Sequence, residues 1–195
     1  MCGFNVTSPY KIYVMRQLDR LSPQAAAIGA VNCVKVCPDG SLEGHNTDWQ
    51  AFAESLVDKG MQDVHQAFVL GTGGAARAVG YALASVGVTF RYVSRHPEHN
   101  VDVNALSYAE AHASAVNTDA VLLVNATPVG MAAMAGMSPW EWGTGQYRNW
   151  KVYDLVYNPS PTLLMQQAAA HGAEVTDGLD MLHRQAFMSW QVWCR

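Results

Sequence analysis

Val69-Leu70-Gly71-Thr72-Gly73-Gly74-Ala75-Ala76-Arg77 is the stretch that decides the fold. The apolar spacing around it predicts a strand over residues 64–70, a helix over residues 75–86 and a second strand over residues 88–93. Glycines between a strand and a helix let a pyrophosphate approach the unpaired N–H groups at the helix N-terminus. The sequence therefore predicts a nucleotide-binding turn, with a plain strand-to-helix turn as the alternative.

Ser94-Arg95-His96 follows the second predicted strand. A fold that prefers NAD usually places an acidic residue about 20 residues beyond its glycines, where it holds the ribose hydroxyls. An arginine and a hydroxyl at this point suit a 2′-phosphate instead. The sequence therefore favours NADP over NAD, and an arginine at a strand end without a ligand is the alternative.

The chain beyond the glycine turn alternates between strands and helices, which is typical of a parallel sheet. Further strands are predicted over residues 120–124, 151–157 and 174–176, and helices over residues 101–114, 160–171 and 178–193.

Three finer predictions concern this second part of the chain. Ser160-Pro161 is predicted to begin the helix that ends at residue 171. Residues 131–150 show little periodicity and are predicted to form a loop near the nicotinamide end of the cofactor, with hydrophobic packing as the alternative. The last helix is predicted to bury a face that carries Leu179, Leu182, Ala186 and Trp190.

The composition indicates a globular protein that acts on small molecules. Half of the 195 residues are apolar, 14% are charged and the formal net charge is −4, so we expect no nucleic-acid or membrane partner. The four cysteines form no C-x-x-C pair, and the seven histidines show no H-x-x-x-H or H-E-x-x-H spacing. We predict reduced thiols, no metal and, without a leader or a long apolar run, a cytoplasmic location.

The residues before the glycine turn include a candidate catalytic lysine. Ser8-Pro9 is good chemistry for a helix start and predicts a helix that ends at Leu18. Lys11 would then lie in the first turn, where the helix dipole eases the loss of its proton. A solvated surface lysine is the alternative.

A β-hairpin and a helix supply the other candidates on this side. The alternation over residues 30–45 predicts a hairpin with Asn32 on its first strand. Thr47 and Gln50 predict a capping box for a helix whose first residue is Asp48. Asp48 alone suits a helix start, but with Lys11 it suggests a proton-transferring lysine oriented by a carboxylate.

Several motifs, in order, resemble those of the shikimate dehydrogenase family over almost the whole chain. Gly3-Phe4-Asn5-Val6-Thr7-Ser8-Pro9-Tyr10-Lys11 is similar to the family's G-x-N-V-T-x-P-x-K. Other stretches that match are Ile28-Gly29-Ala30-Val31-Asn32, Gly44-His45-Asn46-Thr47-Asp48, the glycine turn, Asn125-Ala126-Thr127-Pro128-Val129-Gly130-Met131, Asp154-Leu155-Val156-Tyr157-Asn158-Pro159 and Gly178-Leu179-Asp180-Met181-Leu182 through Gln185.

The resemblance implies NADPH-dependent interconversion of 3-dehydroshikimate and shikimate, a step of aromatic amino-acid biosynthesis. Lys11 and Asp48 would be the catalytic pair. The implied substrate-binding residues are Thr7, Asn32, Asp48, Tyr157 and Gln185. The implied NADP-binding residues are Gly71, Thr72, Gly73, Gly74, Ala75, Ser94, Arg95, His96, Thr127, Leu155 and Gly178.

The implied fold class is α/β, with a Rossmann-like NADP-binding domain over residues 62–177. Residues 1–61 would form an incomplete α/β substrate domain, to which a C-terminal helix over residues 178–195 returns. Family members carry a further α/β segment before the N-V-T motif, so a weakly active or inactive NADP-binding remnant and self-association through an exposed sheet edge are expectations too. Quinate as substrate is a further alternative, and Ser94 and His99, which depart from the family pattern, predict a weaker grip on the 2′-phosphate.

Overall fold

Two β-sheets organise the computed structural model, which describes residues 2–99, 103–115, 118–145 and 147–194. The strands are β1 (Gly3–Asn5), β2 (Arg20–Leu21), β3 (Cys33–Val36), β4 (Leu42–His45), β5 (Gln66–Leu70), β6 (Phe90–Val93), β7 (Val121–Asn125), β8 (Lys151–Asp154) and β9 (Glu174–Thr176). The α-helices are α1 (Pro23–Ile28), α2 (Asp48–Asp58), α3 (Gly74–Ser85), α4 (Tyr108–Ala115), α5 (Leu163–Ala170) and α6 (Leu179–Cys194).

The first sheet has four strands in the order β1-β3-β4-β2, of which β2 runs parallel to β4 and the other pairs are antiparallel. The predicted hairpin is confirmed, because β3 and β4 are joined by a turn at Gly40, whose φ is +84°. Asn32 lies one residue before β3, whereas the prediction put it on that strand. Val31 and Val34 pack with Ala25 of α1 in a small core on this sheet.

The predicted helix that begins after Ser8-Pro9 is wrong. Residues 8–12 form turns, and the helical segment that follows them before β2 is the 3₁₀ helix Tyr13–Gln17. The carbonyl of Lys11 accepts a 2.8 Å hydrogen bond from the N–H of Val31, a residue in the hairpin region. Lys11 therefore sits in a turn held by a tertiary contact, and not in the first turn of a helix of its own.

The second sheet has five strands in the order β6-β5-β7-β8-β9, and every pair is parallel. The predicted parallel sheet is thus confirmed, and so is the predicted succession of strand, glycine turn, helix and strand in β5, α3 and β6. The chain leaves β5 toward β6 on one side and continues at β7 on the other, so the strand order reverses between β5 and β7. In open α/β sheets, ligands bind outside the carboxyl ends of the strands at such a reversal.

The faces of this sheet are both covered, as expected for parallel strands. On one face Val69 and Tyr153 pack against Phe52 of α2 and Val79 of α3. On the other face Phe68 packs with α4, α5 and buried tryptophans. Within the described ranges, no helix is long and apolar enough to cross a membrane.

Residues 138–150 use their aromatic rings to cover the second face. Trp140 is only 2% exposed, and its ring centroid lies 3.9 Å from that of His112 in α4. Trp150 is buried in the same cluster, and Trp142 packs against it. These contacts support the packing alternative for this part of the loop, which occupies the place that a helix would take between β7 and β8.

Two helix starts differ from the predictions. The helix predicted over residues 101–114 begins only at Tyr108 as α4, because residues 103 and 104 form a turn and Leu106 forms a β-bridge with Val93; residues 101 and 102 lie outside the described residues. The helix predicted to begin at Ser160-Pro161 is α5, and its N-cap is Thr162, whose hydroxyl accepts from the N–H of Met165. Ser160 instead donates to Asp177 at 2.7 Å, so its hydroxyl is engaged outside the helix.

The predicted buried face of α6 is wrong. Leu179 and Trp190 are 42% and 61% exposed, whereas Met181 and Ser189 are buried. The helix packs mainly against α2, and near its end the indole N–H of Trp193 donates to the carbonyl of Val34 in β3 at 3.0 Å. The prediction from apolar spacing failed because the inward face of this helix also carries Gln185 and Ser189, which hydrogen-bond to polar residues near the first sheet.

Candidate active site

Lys11 and Asp48 form an ion pair that is largely shielded from solvent. The ammonium nitrogen of Lys11 donates to Asp48 Oδ2 at 2.6 Å, and the side chains are 16% and 6% exposed. Asp48 is the first residue of α2, where the helix dipole favours a negative charge. The pair predicted from the sequence is therefore assembled, with Lys11 supplied by a turn and Asp48 by a helix start.

Asn32 holds the other side of the carboxylate. Its amide nitrogen donates to Asp48 Oδ1 at 2.8 Å and to Thr47 Oγ1 at 2.9 Å, and its Oδ1 accepts from the N–H of Thr47 at 2.7 Å. An amide nitrogen has only two protons to donate, so these two short bonds use both. Asn32 thus fixes the orientation of Asp48, which is 4% exposed.

The predicted capping box at Thr47 and Gln50 is wrong. The Thr47 side chain makes no cap bond to α2, and Asn46 Oδ1 instead accepts from the N–H of Trp49 at 3.3 Å. Gln50 bonds along the helix surface to Glu54. Because Asn46 takes over the cap, the Thr47 hydroxyl is available to the network around Asn32.

Helix α6 closes this network from the other end of the chain. Gln185 Oε1 lies 3.3 Å from the amide nitrogen of Asn32, and the Gln185 carbonyl accepts from Thr47 Oγ1 at 3.1 Å. Ser189, one turn further on, lies 3.1 Å from both Thr47 Oγ1 and the amide nitrogen of Asn5. Residues at opposite ends of the sequence therefore share one polar cluster, whose buried members are Asn32, Thr47, Asp48 and Ser189.

Asn5 and Ser189 were missed as site residues by sequence reasoning. Asn5 stands inside the motif that ends at Lys11, and Ser189 lies four residues after Gln185, on the same helical face. The position of Asn5 in the motif and the spacing of Ser189 from Gln185 could have identified the two residues as members of the site. Thr7 and Tyr157 are exposed, and in the described part of the chain neither hydrogen-bonds to this cluster.

The glycine turn lies at the reversal of strand order and directly against Lys11. Gly71 has φ +103°, and a Cβ placed on it would lie 3.3 Å from Thr127 Cγ2. A Cβ on Gly74 would lie 2.6 Å from Lys11 Cβ, whereas one on Gly73 would meet nothing within 4 Å. The turn is thus packed on its inner side and open on its outer side, which fits a pyrophosphate laid against the start of α3.

The other predicted NADP-binding residues lie at the carboxyl edge of the same sheet. The N–H of Gly71 donates to the carbonyl of Val93 at 2.8 Å, so the glycine turn begins beside the end of β6, from which Ser94, Arg95 and His96 follow. Ser94 Oγ accepts from the N–H of His96 at 3.1 Å, and the Arg95 side chain is exposed. An exposed guanidinium at this edge is suited to a phosphate group.

Leu155, which follows β8, and Gly178, which precedes α6, are in close contact. A Cβ on Gly178 would overlap the carbonyl oxygen of Leu155, so only glycine permits this approach of two backbone segments. Gly178 is buried and Leu155 is half-buried. The two residues therefore lie close together beyond the carboxyl end of β8, and their place beside the nicotinamide stays a prediction.

Comparison with known proteins identifies the family. The family model described as the shikimate dehydrogenase substrate binding domain matches residues 1–34. The NADP⁺ shikimate dehydrogenase of Caldanaerobacter subterraneus subsp. tengcongensis is 37% identical over 98% of this chain and 71% of its own length. The chain belongs to the shikimate dehydrogenase family. A relative from Salinibacter ruber is 40% identical, over 98% of this chain and 72% of its own length.

Solved structures of family members superpose closely on the chain. Shikimate 5-dehydrogenase from Thermus thermophilus, in complex with NADP(H) and shikimate, is 34% identical with a TM-score of 0.84, covering 99% of this chain and 73% of that one. Quinate dehydrogenase from Corynebacterium glutamicum, in complex with NAD, is 30% identical with a TM-score of 0.82, covering 99% and 72%. The Rossmann-like fold class of the family is thus confirmed for the second sheet.

Asp154 is a buried support of the crevice that sequence reasoning did not single out. Its Oδ1 accepts from Asn125 at 2.8 Å and from the N–H of Val156 at 3.0 Å, and its Oδ2 accepts from Thr162 at 2.7 Å. Asn125 Oδ1 in turn accepts from both the N–H and the hydroxyl of Thr127. Burial raises the pKa of Asp154, and these hydrogen bonds oppose the rise. The carboxyl group ties the ends of β7 and β8 to the start of α5.

Proposed function

We propose that this chain is an NADP-dependent shikimate dehydrogenase, which reversibly reduces 3-dehydroshikimate to shikimate. The observation that carries the proposal is the buried pair of Lys11 and Asp48 packed against the glycine turn. A proton donor and the predicted cofactor crevice thus meet at one point. Carbonyl reduction needs both a hydride and a proton there.

The residues of the chain divide this chemistry between them. The chemistry that NADPH supplies when bound is a hydride for the carbonyl carbon. Lys11 Nζ delivers a proton to the carbonyl oxygen as the alcohol forms, and takes it back in the reverse direction. Asp48 keeps the ammonium in place through the 2.6 Å contact, and Asn32 keeps Asp48 in place.

The site residues assigned from the family pattern fill the remaining roles in this proposal. The residues over 71–75 would cradle the pyrophosphate, and those over 94–96 would hold the 2′-phosphate. Thr127, Leu155 and Gly178 would line the crevice toward the nicotinamide. The residues that would bind the substrate hydroxyls or carboxylate are Thr7, Asn32, Asp48, Tyr157 and Gln185.

Substitution of the catalytic pair tests this proposal. Lys11→Ala removes the proton donor and Asp48→Asn removes the charge that orients it, so each should lower kcat by about 10² to 10⁴-fold. The measurement is the absorbance of NADPH formed with shikimate on the purified chain. Lys59→Ala, at an exposed lysine after α2, is the matched control and should keep full turnover. Full turnover in either site variant would rule out the pair.

Quinate is the second candidate substrate, because a quinate dehydrogenase in complex with NAD is among the similar structures. The same assay, run with shikimate and with quinate, and with NADP and NAD, separates the two candidates. A higher kcat/KM for shikimate with NADP supports the proposal. A higher kcat/KM for quinate with NAD would replace it with the second candidate.

We also propose the predicted domain boundaries, the cytoplasmic location and self-association through an exposed sheet edge. The boundaries at residues 61/62 and 177/178 stay a prediction, although the core of the second sheet includes Phe52 of α2. All four cysteines are free thiols, which suits the reducing cytoplasm. Strand β1 pairs only with β3 among the described strands, so its other edge is open to a second copy of the chain. Sedimentation as a monomer over the whole range of concentrations measured would contradict this association.

A further inference from the structure

The turn after β6 carries two histidines and a glutamate side by side. His96 precedes the 3₁₀ helix Pro97–His99, and all three side chains are exposed. Glu98 Oε1 lies 3.4 Å from His96 Nδ1 and 3.8 Å from His99 Nε2, and the two imidazole rings stack with centroids 5.4 Å apart. One ligand atom from each residue lies within 4.8 Å of the others. Within the described residues, no other group of this kind was found.

These three side chains are a donor set that suits a transition metal. Zn²⁺ takes imidazole nitrogens at about 2.0–2.1 Å and carboxylate oxygens at about 2.0–2.2 Å, which places neighbouring ligand atoms a little over 3 Å apart. The distances from Glu98 to the two imidazoles are near that value, and because the side chains are exposed, the stacked imidazole rings are free to turn their nitrogens toward a common ion.

The position of the cluster connects it to the nucleotide site. His96 directly follows Arg95, the residue that favours NADP, and the whole turn lies at the carboxyl edge of β6 beside the glycine turn. Three protein ligands leave a tetrahedral Zn²⁺ with one open position. The ion together with one carboxylate has a net charge of +1, which adds to that of Arg95.

We propose that His96, Glu98 and His99 bind Zn²⁺, and that the open position of the ion takes an oxygen of the 2′-phosphate of NADP. The second half of the proposal rests on the proposed function, in which residues 94–96 hold that phosphate. The ion then strengthens binding of the 2′-phosphate, for which Arg95 is the only arginine or lysine among residues 94–99. NAD lacks the 2′-phosphate and gains nothing from the ion.

Zinc binding is tested first without nucleotide. Calorimetric titration of Zn²⁺ into the metal-free chain should show a site that Glu98→Gln and His99→Gln each weaken by about tenfold or more, since loss of an outer partner alone costs roughly 10- to 100-fold. His65→Gln, at an exposed histidine elsewhere, is the matched control and should bind zinc like the unaltered chain. Any zinc bound by the exposed cysteines is the same in all of these proteins and does not affect the comparison. Equal zinc binding by all four proteins, or none by the unaltered chain, would overturn the proposal.

Coupling to the nucleotide is tested next. Zn²⁺ should tighten NADP binding by about fivefold or more, the lower end of ordinary coupling between sites, and should leave NAD binding unchanged. By linkage, NADP should tighten zinc binding by the same factor. The gain should vanish in His99→Gln. An NADP affinity that Zn²⁺ leaves unchanged or lowers would overturn the phosphate contact, whereas failure of NADP to bind at all, with the zinc site intact, would be a failure of the proposed function.

Discussion

At the scale of single residues, the site depends on charges that are buried and fully partnered. Asp48 accepts from Lys11 on one oxygen and from Asn32 on the other, so its charge is compensated on both sides. Burying a carboxylate is costly unless it is paired and hydrogen-bonded, and removal of one partner leaves the other uncompensated. The Lys11 position is therefore a property of the cluster and not of its own stretch of sequence.

Arg95 is the residue on which the preference for NADP should depend. Arg95→Ala removes a charge-assisted contact to the 2′-phosphate, worth about 1.5–3 kcal/mol, so the Kd for NADP should rise about tenfold or more. The Kd for NAD should stay the same. Fluorescence titration with both nucleotides, in EDTA to exclude metal, is the measurement. Arg91→Ala, at an exposed arginine in β6, is the control, and an equal loss of NAD affinity in Arg95→Ala would contradict the assignment.

At the scale of elements, the site is built from three chain segments: the turn that contains Lys11, the start of α2 and the glycine turn before α3. The turn that contains Lys11 is held by Val31, and the start of α2 is capped by Asn46, so Thr47 is left to bind Asn32 and α6. The glycine turn before α3 is the third such element. At Gly73, the outer side of this turn is open, and a ligand would lie there.

The open side of the glycine turn gives a specific test of its role. Gly73 has φ −74° and an added Cβ would meet nothing within 4 Å, so Gly73→Ala should fold normally. A methyl group there would nevertheless block the close approach of a pyrophosphate. We expect unchanged thermal unfolding and a loss of NADP affinity of about tenfold or more. Gly136→Ala, also without neighbours within 4 Å, is the control and should bind NADP normally. Normal NADP binding by Gly73→Ala would show that the turn is only structural.

At the scale of the whole molecule, the ion pair of Lys11 and Asp48 forms where the two sheets meet. Asp48 opens α2, whose Phe52 is in the core of the second sheet, while Lys11 belongs to the first sheet's turns. Helix α6 joins the network beside the first sheet, because the carbonyl of Gln185 accepts from Thr47 Oγ1 and Ser189 lies within hydrogen-bond distance of the same hydroxyl. The position of Lys11 relative to the glycine turn is therefore set by the contact between the two sheets.

Gly74 is a point at which that contact is very close. Gly74→Ala would place a methyl group 2.6 Å from Lys11 Cβ and 3.3 Å from Ala30 Cβ, so the Lys11 backbone must move. We expect kcat with shikimate to fall while NADP affinity changes far less, because the methyl group points toward the first sheet and away from the outer side of the turn. Steady-state kinetics and fluorescence titration on the same preparation separate the two effects. A kcat equal to that of the unaltered chain would contradict the proposed alignment.

The sequence by itself determined the elements whose signals are local. The strand, glycine turn and helix around Gly71, the parallel alternation after it and the hairpin around Gly40 follow from apolar periodicity and from backbone conformations that glycine permits. The choice of Lys11, Asp48, Asn32 and Gln185 as one site came from family motifs in the sequence. Their spacing alone gives no reason for residues 11, 48 and 185 to meet.

Only the tertiary structure decided what depends on contacts between distant segments. It placed Lys11 in a turn, moved the cap of α2 from Thr47 to Asn46, and turned a polar face of α6 inward because Asn5 and Thr47 bind Ser189 there. Propensity and periodicity describe a segment in isolation, whereas a buried hydroxyl or amide is placed by the partner that satisfies it. The elements were therefore local properties of the chain, and the site was a property of the fold.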